Sequence, residues 1–142
     1  TGVVFCAQTM PPFPWLLGGQ RFHNCLVLPH EIIKFCGETQ IAVCFDSSHT
    51  NMAAQYYNFD MVTAFIDMAK FVRHIHIADS LGVDQEGVRL GSGDLDITSF
   101  LDAVVGYTPD VGIICETWQG HVDSGRAFIE DLNVISAALA SH

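Results

Sequence analysis

The stretch VRHIHIAD, residues 72–79, joins a strand-like segment, Val72–Ile77, to polar residues at its end. Three comparable apolar, β-rich runs occur at Val3–Cys6, Ile41–Phe45 and Val111–Cys115. Each run is nearly continuous in hydrophobicity, which is typical of strands covered on both faces in a parallel sheet. The four runs therefore predict four buried, parallel strands.

Helical patterns follow these strands, with apolar residues spaced three and four apart. The helices are expected to begin near Pro29, Asp60, Thr98 and Ser124, where Pro29 suits a first turn and Asp60 an N-cap. No antiparallel hairpin signal is evident. The alternation predicts an α/β fold with four βα units: either an open doubly wound sheet or the C-terminal half of a (β/α)8 barrel. No Gly-rich dinucleotide fingerprint follows the first strand, which disfavours a nucleotide-binding sheet.

Length and composition predict a single partial-barrel domain over residues 1–142. The hydrophobic fraction of 49% and the mean hydropathy of +0.30 are high for a chain of this size. No apolar run approaches the roughly 20 residues that a membrane-spanning helix needs. We therefore expect no membrane partner, but more apolar surface than the chain buries alone, which points to self-association or a missing segment.

Charge and cysteine usage narrow the possible partners. The net charge is −10 with six scattered Lys and Arg residues, which argues against nucleic-acid binding. An acidic balance is compatible with a bound cation, although solubility alone also explains it. No C-x-x-C pair or signal peptide is present, so reduced thiols and a cytoplasmic location are expected. The five cysteines are Cys6, Cys25, Cys36, Cys44 and Cys115.

Candidate metal ligands follow three successive predicted strands. Asp46 follows the second strand, His74 and His76 end the third, and Glu116 follows the fourth. Each residue alone has a structural explanation, such as a turn cap for Asp46 or a hydrogen-bonded histidine. An acid beside a buried strand, however, costs desolvation energy unless it is paired or metal-bound. Because the carboxyl ends of parallel strands meet at one rim, together they predict a divalent-metal site for Mn²⁺, Zn²⁺, Co²⁺ or Mg²⁺.

Several motifs resemble the xylose isomerase-like barrel superfamily, which includes sugar isomerases, ketose 3-epimerases and metal-dependent AP endonucleases. The motifs are D-x-x-H at residues 46–49, H-I-H-I-A-D at 74–79, G-S-G-D at 91–94 and I-C-E-T-W at 114–118. No single motif is decisive; their order and spacing carry the signal. The resemblance spans nearly the whole chain but only the C-terminal half of a family barrel.

Aromatic loops extend the likeness to the sugar phosphate isomerase/epimerase branch. Trp15 lies in P-P-F-P-W, the segment G-G-Q-R covers residues 18–21, and Trp118 and His121 lie in W-Q-G-H. The resemblance places Trp15, Trp118 and His121 beside a small sugar-like substrate. Aromatic loops that merely pack on the barrel rim would have the same sequence.

The resemblance implies a role for each strand-end residue. Asp46, His76 and Glu116 match the metal ligands, and His49 matches a position that contacts substrate in epimerases or a second metal in endonucleases. Arg89, in a loop that aligns less well with the family, is the candidate to bind a substrate oxygen or phosphate. In epimerases two carboxylates exchange the proton beside the carbonyl, and Glu116 would be one of them.

One departure from the family pattern affects the expected catalysis. The second catalytic carboxylate should precede the P-P-F-P-W segment, and Gln8 occupies that position. An amide is a weak ligand and no general base. Three interpretations are open: the family's acid aligns with another residue of this chain, the site binds a metal without transferring protons, or its chemistry is altered. We expect a sugar or sugar-phosphate isomerase/epimerase-like protein with impaired activity; the alternative is a catalytically silent half-barrel binding or assembly module. An AP endonuclease would need His ligands that residues 84–86 do not offer.

Four βα units leave two open sheet edges, because a complete barrel needs eight strands. The chain would therefore be a fragment that lacks the N-terminal half, a protein that pairs with itself, or one that pairs with another chain. A homodimer is the hypothesis favoured by the apolar composition.

Overall fold

The computed structural model describes residues 2–13 and 24–140. The strands are β1 Cys6–Gln8, β2 Ala42–Asp46, β3 Val72–Ile77, β4 Asp79–Leu81, β5 Gln85–Val88 and β6 Gly112–Cys115. The helices are α1 Pro29–Thr39, α2 Ser47–Tyr57, α3 Met61–Met68, α4 Ile97–Tyr107 and α5 Val122–Leu139, with a 3₁₀ turn at Ala69–Phe71. Among these helices, none has both the length and the apolar character to cross a membrane.

The main sheet contains β1, β2, β3 and β6, hydrogen-bonded in that order with every neighbouring pair parallel. An open doubly wound sheet reverses its strand order at a switch point, whereas a barrel adds each strand beside the preceding one. The observed order is that of four consecutive barrel strands. The predicted α/β fold with four βα units is therefore confirmed.

The first strand begins later than predicted. Residues 3–5 are exposed and outside any strand, whereas β1 spans Cys6–Gln8 and pairs residue by residue with Ala42–Cys44. Apolar character predicted the wrong bounds because the position of β2, not hydrophobicity, decides which residues of this segment find backbone partners. The correction moves Gln8 into the sheet, opposite Cys44.

The expectation of no antiparallel hairpin is wrong. β4 and β5 pair antiparallel, with Asp79 opposite Val88 and Leu81 opposite Gln85. The arms have three and four residues, too few for an alternating apolar pattern to be visible. The turn between them contains Gly82 at φ 61°, a conformation that glycine adopts readily.

Helix α2 is a further difference from the prediction, which treats its first residues only as polar strand-end residues. Asp46 caps it by accepting a hydrogen bond from the backbone N–H of His49 at 3.0 Å. Polar side chains such as Ser47, Ser48 and Asn51 are buried along it, so the helix lacks the amphipathic pattern. The other helices agree with the predicted starts, and α5 becomes regular after Gly125, whose φ is 79°.

The two faces of the sheet differ because successive strand residues point to opposite sides. One side, which we call the helix-side face, packs against the helices through fully buried residues such as Phe45 and Ile75. Phe45 contacts Phe65 and Phe100 with ring centroids 5.0 and 5.6 Å away, in edge-on and stacked geometry respectively. The other side, the open face, carries polar and sulfur-containing side chains.

Candidate metal centre

The open face brings together the three residues that the sequence predicted as metal ligands. Asp46 and His76 lie opposite each other in the register of β2 and β3. Glu116 follows β6, and its backbone N–H donates to the Ile77 carbonyl at 3.0 Å, which extends the ladder by one residue. Carboxylate and imidazole ligand atoms of Asp46, His76 and Glu116 all lie within 4.8 Å of one another. We call these three residues the Asp–His–Glu cluster.

Nδ1 of His76 is the centre of this arrangement. It lies 2.5 Å from Glu116 Oε2 and 3.9 Å from Asp46 Oδ2. The atom is buried, yet it makes no properly oriented hydrogen bond with any described residue. A buried ring nitrogen without a hydrogen bond is costly unless another partner is present. Two carboxylates beside such a nitrogen form a donor set that fits a divalent cation.

Asp46 is held in place before any cation binds. One carboxylate oxygen accepts from the His49 backbone and the other from Gln8 Nε2 at 2.9 Å. The Asp46 backbone N–H donates to Thr9 Oγ1 at 2.9 Å. Burial raises the pKa of the Asp46 carboxyl above its ordinary value, and the nearby His49 opposes that shift. Fixed geometry and a desolvated charge are both favourable for capturing a cation.

Gln8 has a defined place in this site, although its amide cannot transfer a proton. Its side chain projects from β1 on the open face and donates to Asp46. An amide N–H that faces a carboxylate fixes the orientation of that carboxylate. Gln8 thus acts on Asp46 by positioning it.

His49 connects the Asp–His–Glu cluster to the hairpin. Its Nδ1 lies 3.0 Å from the Thr9 carbonyl oxygen and 3.3 Å from Asp46, and its Nε2 lies 3.2 Å from Glu86 Oε2. Both ring nitrogens face acceptors, which suits a doubly protonated imidazolium. Burial lowers the pKa of His49, but the hydrogen bond to Glu86 and the charge of Asp46 outweigh it, so the pKa is raised.

The hairpin β4–β5 forms one wall of a cavity beside the Asp–His–Glu cluster. The Gly87 backbone donates to Ser48 Oγ at 2.9 Å, and the Trp118 backbone donates to the Gly87 carbonyl at 2.7 Å. The cavity has a volume of about 130 Å³, and Glu86, Glu116 and Trp118 are among its lining residues. The sequence alone predicts no role for Glu86. The glycines of its turn were the available signal, but they do not reveal which face the hairpin covers.

The remaining predicted residues have different positions. Trp118 lines the cavity with 61% of its surface exposed. Arg89 lies in a neighbouring groove of about 520 Å³, where it forms an ion pair with Glu130. His121 is exposed at the start of α5 and lines neither cavity. Trp15 lies outside the described residues, as does the G-G-Q-R segment.

Asp79, the last residue of the H-I-H-I-A-D motif, stabilises a loop. It is fully buried, and its carboxylate accepts four backbone N–H groups, at 2.8 to 3.1 Å. The donors are Ser80, Gly91, Gly93 and Leu95, so the G-S-G-D loop wraps around this one side chain. A Cβ at Gly93 would lie 2.1 Å from the Ser80 carbonyl oxygen, which explains the glycine there. The two motifs therefore meet in a structural anchor.

Comparisons with known proteins agree with this arrangement. The family model of the xylose isomerase-like TIM barrel matches residues 1–138. An uncharacterised protein of Methanocaldococcus jannaschii is 24% identical over 98% of this chain and 46% of its own length. The chain thus spans about half the length of the curated relative that it matches.

Solved structures show the same fold at low sequence identity. An L-ribulose 3-epimerase is 19% identical with a TM-score of 0.62, over 99% of this chain and 52% of that chain. A D-allulose 3-epimerase from Methylomonas sp., in complex with D-allulose, is 15% identical with a TM-score of 0.62, over 98% and 47%. A xylose isomerase domain protein from Planctomyces limnophilus is 22% identical with a TM-score of 0.60, over 78% and 43%. The chain corresponds to half of each barrel.

Proposed function

Since the chain belongs to the xylose isomerase-like TIM-barrel family, we propose that it carries the metal-binding half of a sugar isomerase or epimerase site. The observation that carries this proposal is the convergence of Asp46 and Glu116 on the buried, unbonded Nδ1 of His76. Several solved neighbours are sugar epimerases by name, and one contains D-allulose, which supports a sugar as the substrate class.

Asp46, His76 and Glu116 would hold one divalent cation. Their mixed oxygen and nitrogen donors suit Mn²⁺, Zn²⁺, Co²⁺ or Mg²⁺. When bound, such a cation supplies Lewis-acid polarisation of a carbonyl or hydroxyl oxygen. Gln8 and the α2 N-terminus keep Asp46 oriented for this role through their hydrogen bonds.

Glu116 is the residue that we assign to proton transfer. Its side chain is 55% exposed at the cavity, so its carboxylate reaches a substrate without leaving the site. Glu86, another cavity carboxylate, is engaged by His49 Nε2 at 3.2 Å. Gln8 accepts no proton, so among the described residues Glu116 is the acid–base group that this half offers to a substrate. A single carboxylate serves proton transfer between adjacent carbons on one face, whereas epimerisation needs a second group on the opposite face.

The cavity favours an uncharged sugar over a sugar phosphate. Its lining includes the carboxylates of Asp46, Glu86 and Glu116 and contains no Lys or Arg from the described part of the chain. Arg89, the residue expected to bind phosphate, is paired with Glu130 in the neighbouring groove. The exposed ring of Trp118 offers an apolar surface on which a sugar ring stacks.

Metal content measured by mass spectrometry tests the proposal. After loading with Mn²⁺, a cation that suits carboxylate ligands better than thiolate, we expect about one Mn²⁺ per site in the parent and its loss in Asp46→Asn and Glu116→Gln, variants that remove charge with little change in shape. Asn still caps α2, so folding is preserved in the first variant. Asp110→Asn is the matched control, because Asp110 is exposed and precedes β6 at the opposite end of that strand. Equal metal content in all four proteins would contradict the proposal.

A catalytically silent binding or assembly module is the second candidate, and Gln8 favours it. Isomerisation and epimerisation of D-allulose, D-tagatose and L-ribulose are assayed with Mn²⁺ in the parent and in Gln8→Glu. Epimerase activity that appears only in the variant supports the silent reading, because the carboxylate restores the missing base. Isomerase or epimerase activity in the parent excludes that reading.

The open face also requires a cover. Ile114 of the edge strand β6 is 54% exposed, and Val3, Val4 and Phe5 are more than 60% exposed beside the other edge. We propose that a second copy of this chain supplies the cover, because two identical halves pair β6 of each with β1 of the other and close eight strands. Sedimentation at micromolar concentration is expected to show a dimer. A well-folded monomer would exclude this assembly.

A further inference from the structure

A second cluster of metal-ligating side chains lies next to the Asp–His–Glu cluster on the open face, toward the N-terminal ends of β2 and β3. It consists of Cys44 on β2 and of His74 and His76 on β3, and we call it the thiol–imidazole cluster. One ligand atom from each of its residues lies within 4.8 Å of the other two. The proposed sugar chemistry uses neither Cys44 nor His74.

Strand register explains why these side chains meet. Cys44 lies directly opposite His74, and both precede the Asp46–His76 pair by two residues, so all four point to the open face. The rings of His74 and His76 contact edge to face, with centroids 5.1 Å apart. Gly112 lies across from His74, and a Cβ there would be 3.4 Å from His74 Nδ1. The missing side chain thus leaves space beside that ring nitrogen.

We propose that Cys44, His74 and His76 bind a thiophilic divalent cation, of the class represented by Zn²⁺ and Cd²⁺. Thiolate and imidazole ligands select such softer ions, whereas carboxylates suit harder ones. A tetrahedral zinc ion with ordinary bond lengths places neighbouring ligand atoms about 3.3–3.6 Å apart, which side-chain adjustment reaches from the observed separations. Three protein ligands leave the fourth position to solvent.

Binding at this cluster involves no redox change. The Cys44 S–H bond breaks, the sulfur electron pair forms the bond to the cation, and the proton leaves to the buffer. Each imidazole binds in its neutral form through the lone pair of its one unprotonated ring nitrogen, so a His76 that holds this cation does not hold a second one beside Asp46 and Glu116 at the same time. Cys44 is only 6% exposed, so the bound sulfur is shielded from competing solvent.

The thiol–imidazole cluster shares His76 with the Asp–His–Glu cluster, but its existence does not rest on the proposed sugar chemistry. Nδ1 of His76 faces the two carboxylates. Cys44→Ser and His74→Gln remove ligands of the thiol–imidazole cluster only, whereas Asp46→Asn and Glu116→Gln remove ligands of the Asp–His–Glu cluster only. The two proposals therefore fail independently.

Cobalt absorption tests the proposal on the whole chain, because thiolate bound to Co²⁺ gives a near-ultraviolet charge-transfer band that oxygen ligands do not give. We expect the band in the parent, its loss in Cys44→Ser and at least about 100-fold weaker Co²⁺ binding in His74→Gln. Cys115→Ser is the matched control, since Cys115 is a partly buried strand cysteine opposite Ile77 on the other face. Circular dichroism verifies that each variant is folded.

Two further variants separate this site from the proposed sugar site. Asp46→Asn and Glu116→Gln are expected to retain the thiolate band and its displacement by Zn²⁺ or Cd²⁺. Absence of the band in the parent, its persistence in Cys44→Ser, or its loss in Asp46→Asn would each overturn the proposal. Retention of the band in Asp46→Asn, alongside an Mn²⁺ content equal to that of the parent, would support this cluster while contradicting the sugar-site metal.

Discussion

Phe45 and Asp46 are consecutive residues of β2, both almost completely buried, and they belong to opposite regions of the molecule. Phe45 lies on the helix-side face among other aromatic rings, whereas Asp46 lies on the open face among hydrogen-bond donors. The first removes apolar surface from water, which stabilises the fold. The second desolvates a charge, which destabilises it. The strand thus places stabilising residues on one face and reactive residues on the other.

The largest expected effect comes from the helix-side face. Phe45→Ala leaves a cavity between Phe65 and Phe100, and we expect the free energy of unfolding to fall by about 3–5 kcal/mol. Urea denaturation measures this change. Tyr107→Ala is the control, since Tyr107 is 58% exposed, and its effect should stay within about 0.5 kcal/mol. Equal effects of the two substitutions would show that burial of Phe45 among the aromatic rings does not stabilise the fold.

Asp79 is also a buried carboxylate beside a strand end but, unlike Asp46, it stabilises the fold. Asp79→Ala removes the acceptor of four backbone N–H groups, and we expect a loss of about 2–4 kcal/mol in the free energy of unfolding. Asp94→Ala is the control, because Asp94 is exposed and accepts one backbone hydrogen bond, from Gly82. Its loss should stay below about 1 kcal/mol. A small effect at Asp79 would contradict its role as the loop anchor.

The sequence predicts the parallel strands and the convergence of Asp46, His76 and Glu116 for simple physical reasons. Buried parallel strands are continuous apolar runs, and their carboxyl ends meet at one rim. Helix α2 escapes prediction because its buried face is polar, with side chains such as Ser47 and Asn51 bonded to the strand-end and hairpin segments. Tertiary hydrogen bonds of this kind leave no periodic pattern.

Short elements and individual contacts are less predictable for a different reason. The hairpin that brings Glu86 to His49 has too few residues to show a strand pattern. Gln8 was recognised as a departure from a catalytic acid, but its hydrogen bond to Asp46 follows from the register of β1 on β2. Register depends on the partner strand, which the local sequence does not encode.

A smaller effect of opposite sign is expected from the open face. Burial raises the pKa of Asp46, so without metal the neutral carboxyl is more favourable in the folded state than in the unfolded state. The stability from this group is fully present below its unfolded pKa of about 3.9 and is lost as pH rises through the higher folded pKa. Asp46→Asn keeps the α2 cap and should therefore add about 0.5–1 kcal/mol to the free energy of unfolding at pH 7, measured without metal. The gain should vanish near pH 3; a loss at pH 7 would show that the open face is stabilising in the absence of metal.

The smallest expected effect concerns the His49–Glu86 contact, which joins the open face to the hairpin. Burial lowers the pKa of His49, and the hydrogen bond to Glu86 is the strongest of the contributions that raise it above its ordinary value. Glu86→Gln removes that negative charge, so the pKa of His49 should fall, as measured by NMR titration of the ring. The matched control is Asp84→Asn, an exposed acid of the same hairpin.

The sign of the accompanying stability change follows from the same contact. Because the folded pKa of His49 is raised, its stabilisation is fully present below the unfolded pKa of about 6.5 and is lost as pH rises through the folded pKa. Glu86→Gln should therefore destabilise the protein by roughly a few tenths of a kcal/mol near pH 6 and hardly at all near pH 9. If the titration of His49 is unchanged in Glu86→Gln but shifts downward in Asp46→Asn, the charge of Asp46 holds the proton on His49. The positive charge of His49 then depends on Asp46, and the hairpin contributes only a wall of the cavity.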